Sequence, residues 1–277
     1  MKKVLYLTIY FCLFIIGCKE IDKSKKGPFY DSAPMQNAEN TPPPPPKLID
    51  KQDESKVMII PIEHATAVLE WKNITIYVDP VGGMEAFEGY LQPDLILITD
   101  IHGDHFSLET LQALNTEKAK IIVPQTAADK IPDEFTPQID VLNNGDTKER
   151  YGIKIEAIPM YNIRAEAKDF HIKGRGNGYV LNMGDQRIYF SGDTEDIPEM
   201  RALQNIDIAF ICMNLPYTMT VERAADAVLD FKPKQVYPYH YRGRPDVSDI
   251  AKFKELVNKG NSDIEVIQLD WYPSGTD

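Results

Sequence analysis

The sequence predicts an α/β fold in which two mixed β-sheets pack face to face with helices on the outside. Two observations carry this. Two β-rich blocks each give way to alternating strands and helices, and the body they form, roughly 220 residues, suits one domain. The 277-residue chain is 43% hydrophobic, enough apolar material for one sizeable core. No short-period repeat suggests a solenoid.

The first 18 residues are set aside before the fold is considered. Lys2 and Lys3 precede the apolar run VLYLTIYFCLFIIG, which ends at Gly17-Cys18. The run is shorter than the ~20 residues of a membrane span and reads as a signal peptide. A small residue before a cysteine resembles a bacterial lipobox, with Cys18 as the lipidated first residue of the mature protein. From residue 19 to 55 the apolar residues have no period, and Pro42 to Pro46 favour an extended spacer, so this segment is expected to be a disordered Pro-rich tether. Together these features predict a lipid-anchored protein of the bacterial cell envelope, with its membrane contact made through Cys18. With Cys12 removed and Cys18 acylated, Cys212 has no partner and is expected to be a small core hydrophobe.

The body is expected to span residues 56–277. It opens with the strands VMIIPI, ATAVLEW and ITIYVDP. Alternation follows: the strand DLILIT, the helix SLETLQALN with Ser107 as N-cap, the strand KIIVP and the short helix QTAADKI. A second β-rich block comprises IKIEAIPMY, GNGYVLNM and QRIYFSGD, with turn signals at NNGD and MGDQ. The last third alternates again through EDIPEMRALQ (helix), IDIAFICM (strand), TVERAADAVLDF (helix), KQVYPYH (strand), DIAKFKELVNK (helix) and IEVIQLD (strand).

Chemistry concentrates after the strand DLILIT, in the stretch TDIHGDH. Asp100 and His102 are two apart, so an extended chain points both toward one ion, and Gly103 lets the chain turn so that Asp104 and His105 reach a second. Imidazole nitrogen with carboxylate oxygen suits zinc, and also iron or manganese. Such a site needs more ligands, and His171, Asp193 and His240 are each expected at the end of a strand. Of the five histidines in the chain, four stand at strand ends near carboxylates or glycines.

The order of TDIHGDH, FHIKGRGNGYV, YFSGDTED and YPYHY resembles the metallo-β-lactamase superfamily. The early EHATAVLE and YVDP are similar to its L-ascorbate-6-phosphate-lactonase-like and N-acyl-phosphatidylethanolamine phospholipase D-like branch. The resemblance implies the αββα sandwich of that superfamily. It implies a first metal on His102 and His171, with Asp100 where the family has a histidine, and a second on Asp104, His105 and His240, with Asp193 between them. Two zinc ions are the implied cofactor, with Mn2+ or Fe as alternatives, and Asp100 bears on which metal fills the first position.

The resemblance further implies a metal-dependent hydrolase in which an activated water attacks an ester, lactone or phosphodiester, with Asp104 orienting the water or passing on its proton. His64 and Asp79 are expected to support ligands or touch substrate, Asp79 by orienting a ligand histidine. Asn214 and Tyr241, with Tyr217, Tyr239 and Arg242, are weaker substrate candidates. The expected partner is a small-molecule or lipid ester. A net charge of -12 argues against gripping nucleic acid non-specifically. The chain has no GxSxG motif and no P-loop to support other nucleophilic or phosphate chemistry. The rival readings are a non-catalytic member of the fold and a mononuclear-iron redox member, each tethered to the membrane.

Overall fold

A computed structural model describes residues 56–272. The signal peptide and tether expected in residues 1–55 lie outside the described residues. Six strands form one sheet in sequential order: β1 (Met58–Glu63), β2 (Thr66–Trp71), β3 (Ile74–Val78), β4 (Leu95–Leu97), β5 (Lys120–Val123) and β6 (Ile139–Val141). The β1-β2 and β2-β3 pairs are antiparallel, and every later pair is parallel. Seven strands form the other: β7 (Thr147–Arg150), β8 (Ile153–Met160), β9 (Gly176–Met183), β10 (Gln186–Phe190), β11 (Ile208–Ile211), β12 (Gln235–Pro238) and β13 (Glu265–Val266). It repeats the plan, antiparallel from β7 to β10 and parallel from β10 to β13.

Side-chain alternation explains the layering, because successive residues of a strand face opposite sides. In the first sheet Ala67, Leu69, Ile76, Val78, Leu95, Leu97 and Ile122 join the core shared with the second sheet. Their neighbours Val68, Tyr77, Ile96, Ile121 and Val123 pack instead with Leu111 and Ala127. Those two residues belong to α1 (Leu108–Ala113) and α2 (Gln125–Ala128), which cover the outer face. The second sheet is covered by α3 (Pro198–Arg201), α4 (Val221–Phe231) and α5 (Ile250–Gly260). In α4 the buried Val221, Ala224, Ala225, Val228 and Phe231 form one apolar stripe, and the Thr220 hydroxyl caps its start by accepting from Arg223 N. Ser107 caps α1 in the same way, at Thr110 N.

Some elements differ from the sequence reading. The helix expected over EDIPEMRALQ is only the four residues of α3: Pro198 starts it, and Glu195 is held outside by bonds from Ile163 N and Arg164 N to its carboxylate. The final strand shrinks to β13, two residues long. Strand β6 (IDV) is too short for its alternation to reveal it, and TKER of β7 is a charged edge strand. Asp140 of β6 and Arg150 of β7 form a two-pronged ion pair at 2.7 Å that ties one sheet's edge to the other's. Among the described residues no helix is long and apolar enough to cross a membrane.

Candidate metal centre

The candidate residues sit where chains leave the carboxyl ends of parallel strands, the usual crevice for ligands in such sheets. Asp79 follows β3, and Asp100, His102, Asp104 and His105 lie in the loop after β4. Asp193 follows β10, Asn214 follows β11 and His240 follows β12, while His171 belongs to the β8-β9 connection. Two of these turns, and the β1-β2 hairpin, use left-handed backbone at non-glycine residues: Asp79 (φ 46°), His240 (φ 46°) and His64 (φ 57°). Each such residue costs about 1 kcal/mol or more, held by its surroundings. Gly176 has a different reason: a Cβ there would lie 2.7 Å from the Thr99 carbonyl and 3.3 Å from Asp100 Oδ1, so β9 can approach the loop only without a side chain.

Two candidate ligand sets result, each with donor atoms within 4.8 Å of one another: Asp104, His105, Asp193 and His240, and Asp100, His102 and His171. In the first set the Nε2 atoms of His105 and His240 lie 3.0 Å apart, near enough for both to reach one ion. Asp193 stands between the sets. Its Oδ2 is 3.1 Å from His171 Nε2 and 3.4 Å from His105 Nε2, and its Oδ1 is 3.0 Å from His240 Nε2. That Oδ1 is buried without a hydrogen-bond partner, a need that a coordinated cation would meet. Divalent metal ions therefore fit the donors present.

The surroundings fix the donors. Asp79, fully buried, accepts from Thr99 N and Thr99 Oγ1 at 2.7 Å and from His105 Nδ1 at 2.8 Å. A carboxylate only accepts, so Nδ1 carries the proton and Nε2 is left as the ligand atom. His64 donates from Nε2 toward Asp104 Oδ2 at 3.4 Å, and its Nδ1 lies 2.8 Å from the Tyr272 hydroxyl. Burial disfavours the charged form of Asp193, but His240, His105 and His171 outweigh it and hold the carboxyl well below its usual range. Burial likewise opposes a charged His105, which Asp193, Asp79 and Asp104 nevertheless push well above the ordinary value. Burial brings His240 down to about 4. Asp104, 40% exposed, is also held low: burial opposes ionisation, and His105, His64 and His240 overcome it.

A cavity of about 790 Å³ opens over both sets, within the range of small-ligand sites. Asn214 lines it, with Nδ2 at 3.4 Å from His240 Nε2, and so do Tyr217 and Arg242. Tyr241 stands apart from the lining, edge-on to Tyr272, and Tyr239 is buried with its hydroxyl accepting from Gly192 N beside Asp193. Cys212 is buried and its thiol is pushed up to about 12 by burial, so it is no nucleophile. Thr99, Tyr272, Phe170, Arg244 and Arg175 are the residues that the sequence reading missed. An acidic residue at a ligand position was the signal that a cation must be near, and Arg175 is that cation, pairing with Asp100.

The model of the β-lactamase superfamily domain matches residues 59–240. A UPF0173 metal-dependent hydrolase of Pyrococcus horikoshii is 31% identical over 175 residues, which are 61% of this chain and 76% of that protein. This chain belongs to that superfamily and to the UPF0173 metal-dependent hydrolases. A crystal structure from Parabacteroides distasonis, provisionally named a metal-dependent hydrolase, is 39% identical with a TM-score of 0.69, over 76% of this chain and 92% of that one. The metallo hydrolase Igni18 of Ignicoccus hospitalis shares the fold at 22% identity and a TM-score of 0.65, over 77% of this chain and 95% of that one. The UPF0173 chain is therefore a metal-dependent hydrolase with the metallo-β-lactamase fold.

Proposed function

We propose that this hydrolase opens an ester, lactone or phosphodiester bond at two metal positions, with zinc as the ion and Mn2+ or Fe as alternatives. The observation that carries the reading is the 3.0 Å approach of His105 Nε2 and His240 Nε2 beside an Asp193 oxygen that lacks a hydrogen-bond partner, at the base of an open cavity. His105, His240, Asp104 and Asp193 would hold one ion, and His102 and His171, with Asp100 beside them, the other. Divalent ions there supply Lewis acidity and lower the pKa of water. Asp104 does the chain's own positioning work: ionised and 40% exposed, it accepts a hydrogen bond from the attacking water and orients it. His64 steadies that carboxylate. Asn214, at the cavity wall, presents an amide to the substrate's polar oxygen.

The substrate side of the reading rests on the lining. Arg242 and Arg244 stand beside Phe170 and Tyr217, which suits an anionic ester with an apolar arm. The similarity to lactonase-like and phospholipase D-like proteins favours the same class, and the acidic balance disfavours nucleic acid. The Gly17-Cys18 motif supports a lipid anchor at the bacterial envelope, with residues 19–55 as the tether and residues 56–277 as the catalytic domain. Mass spectrometry of the N-terminal peptide tests the anchor: a diacylglyceryl Cys18 is expected, and an unmodified cysteine retained in a membrane-free protein would sink it.

Elemental analysis of the purified protein, followed by an ester, lactone and phosphodiester screen with metal restored, tests the function. Retained metal and an activity lost in His105→Ala support it. Less than about half an equivalent of metal with no activity across the panel refutes it.

A further inference from the structure

Asp100 is fully buried, and a buried carboxylate must be compensated. Arg175, the last residue before β9, compensates it through two parallel bonds: Nε to Oδ1 at 3.1 Å and Nη2 to Oδ2 at 2.9 Å. Only 15% of the Arg175 side chain is exposed, and Nη2 also donates to the Phe170 carbonyl, so the fork is fixed from both ends. The oxygen that faces His171 Nε2, at 4.0 Å, is this same Oδ2, and it lies 2.9 Å from His102 Nδ1 as well. An ionised carboxylate offers about two lone-pair directions per oxygen. Arg175 and His102 occupy both at Oδ2.

The other ligand set is built differently. Asp104 and Asp193 bring two negative charges toward two imidazoles, whereas the guanidinium cancels the charge of Asp100. A divalent cation gains more where the carboxylates are uncancelled. We propose that Arg175 makes the two metal positions unequal: by holding both oxygens of Asp100 it withdraws that ligand, so one ion binds tightly at Asp104, His105, Asp193 and His240 and the second binds weakly at His102 and His171. Arg175 is a positioning residue in this account, acting through Asp100. The proposal rests on the metal-binding reading above.

The test uses full-length protein stripped with a chelator and titrated with Zn2+ by calorimetry, with Co2+ absorption following the same steps. Wild type is expected to bind one ion tightly and a second at least about tenfold more weakly. Arg175→Ala, and Asp100→His combined with Arg175→Met, should each strengthen the second step about tenfold or more without moving the first. The double variant leaves no uncompensated buried charge, so it decides alone if Arg175→Ala does not fold. Two equally tight steps in wild type overturn the proposal, as does a second step unmoved in the folded variants. Wild type that binds no ion refutes the metal-dependent function itself, a different failure.

Discussion

Asp79→Asn isolates the role of a single buried oxygen. Asparagine keeps the shape and tolerates the left-handed backbone that Asp79 adopts at φ 46°, so the change is one of hydrogen-bond chemistry. Its carbonyl still accepts from Thr99 N, as Asp79 Oδ1 does at 2.7 Å. At the other position, where Oδ2 accepts from Thr99 Oγ1 at 2.7 Å and from His105 Nδ1 at 2.8 Å, an amide NH2 now faces two donors. His105 resolves the conflict by shifting its proton to Nε2, the atom that faces His240, and loses its metal-binding lone pair. Supporting partners of this kind are worth about 10- to 100-fold in metal affinity, or roughly 1.4–2.7 kcal/mol. Chelator competition on wild type and variant reads that loss, and melting curves without metal should differ by only about 1 kcal/mol. A variant that holds metal as tightly as wild type would refute the reasoning, because the tautomer of His105 would then not depend on Asp79.

Three further outcomes follow from the geometry. Gly176→Ala should cost about 1–3 kcal/mol by driving a methyl against the Thr99 carbonyl, and metal binding at His102 and His171 should weaken with it; thermal melting and metal titration check both. Thr220→Ala removes the cap of α4 and should lower stability by about 1 kcal/mol while leaving activity unchanged, measured by urea unfolding beside a hydrolysis assay. Asp140 is held below its usual pKa: burial opposes ionisation, and Arg150 and Lys148 outweigh it. A depressed folded pKa means stability that is present above the unfolded value of about 3.9 and is lost as pH falls through the folded value. Asp140→Asn should therefore flatten the acid side of the stability profile below about pH 4 and leave neutral pH activity alone.

Much of this molecule is legible in the residues. Alternation marks β8, short β-rich runs mark β2, β3 and β9, and the 3.6-residue stripe of α4 is plain in VERAADAVLDF, because these patterns follow local backbone geometry. Several candidate ligands were visible for a related reason: a strand must end before its side chains can converge on a point, so Asp100, Asp193 and His240 stand just past apolar runs, whereas His171, expected at a strand end, lies within the β8-β9 connection. Strand β6 escaped because three residues are too few to show a period, and β7 because a charged edge strand, stabilised by one neighbour and ion pairs, leaves no apolar pattern. The shortness of α3 escaped because Glu195 is claimed by the backbone at residues 163 and 164, far away in sequence.

The sequence by itself determined the layered α/β class, the ligand types and their order, and the departure at Asp100. The motif order already implied two sets with Asp193 between them; only the tertiary structure decided the spacing of those side chains and the bond from His105 Nδ1 to the buried Asp79. It also decided that Asp100 belongs with Arg175, 75 positions away. The reason is physical: residue type sets what a side chain is able to bind, but charge cancellation and lone-pair direction depend on distances of about 3 Å that only packing fixes.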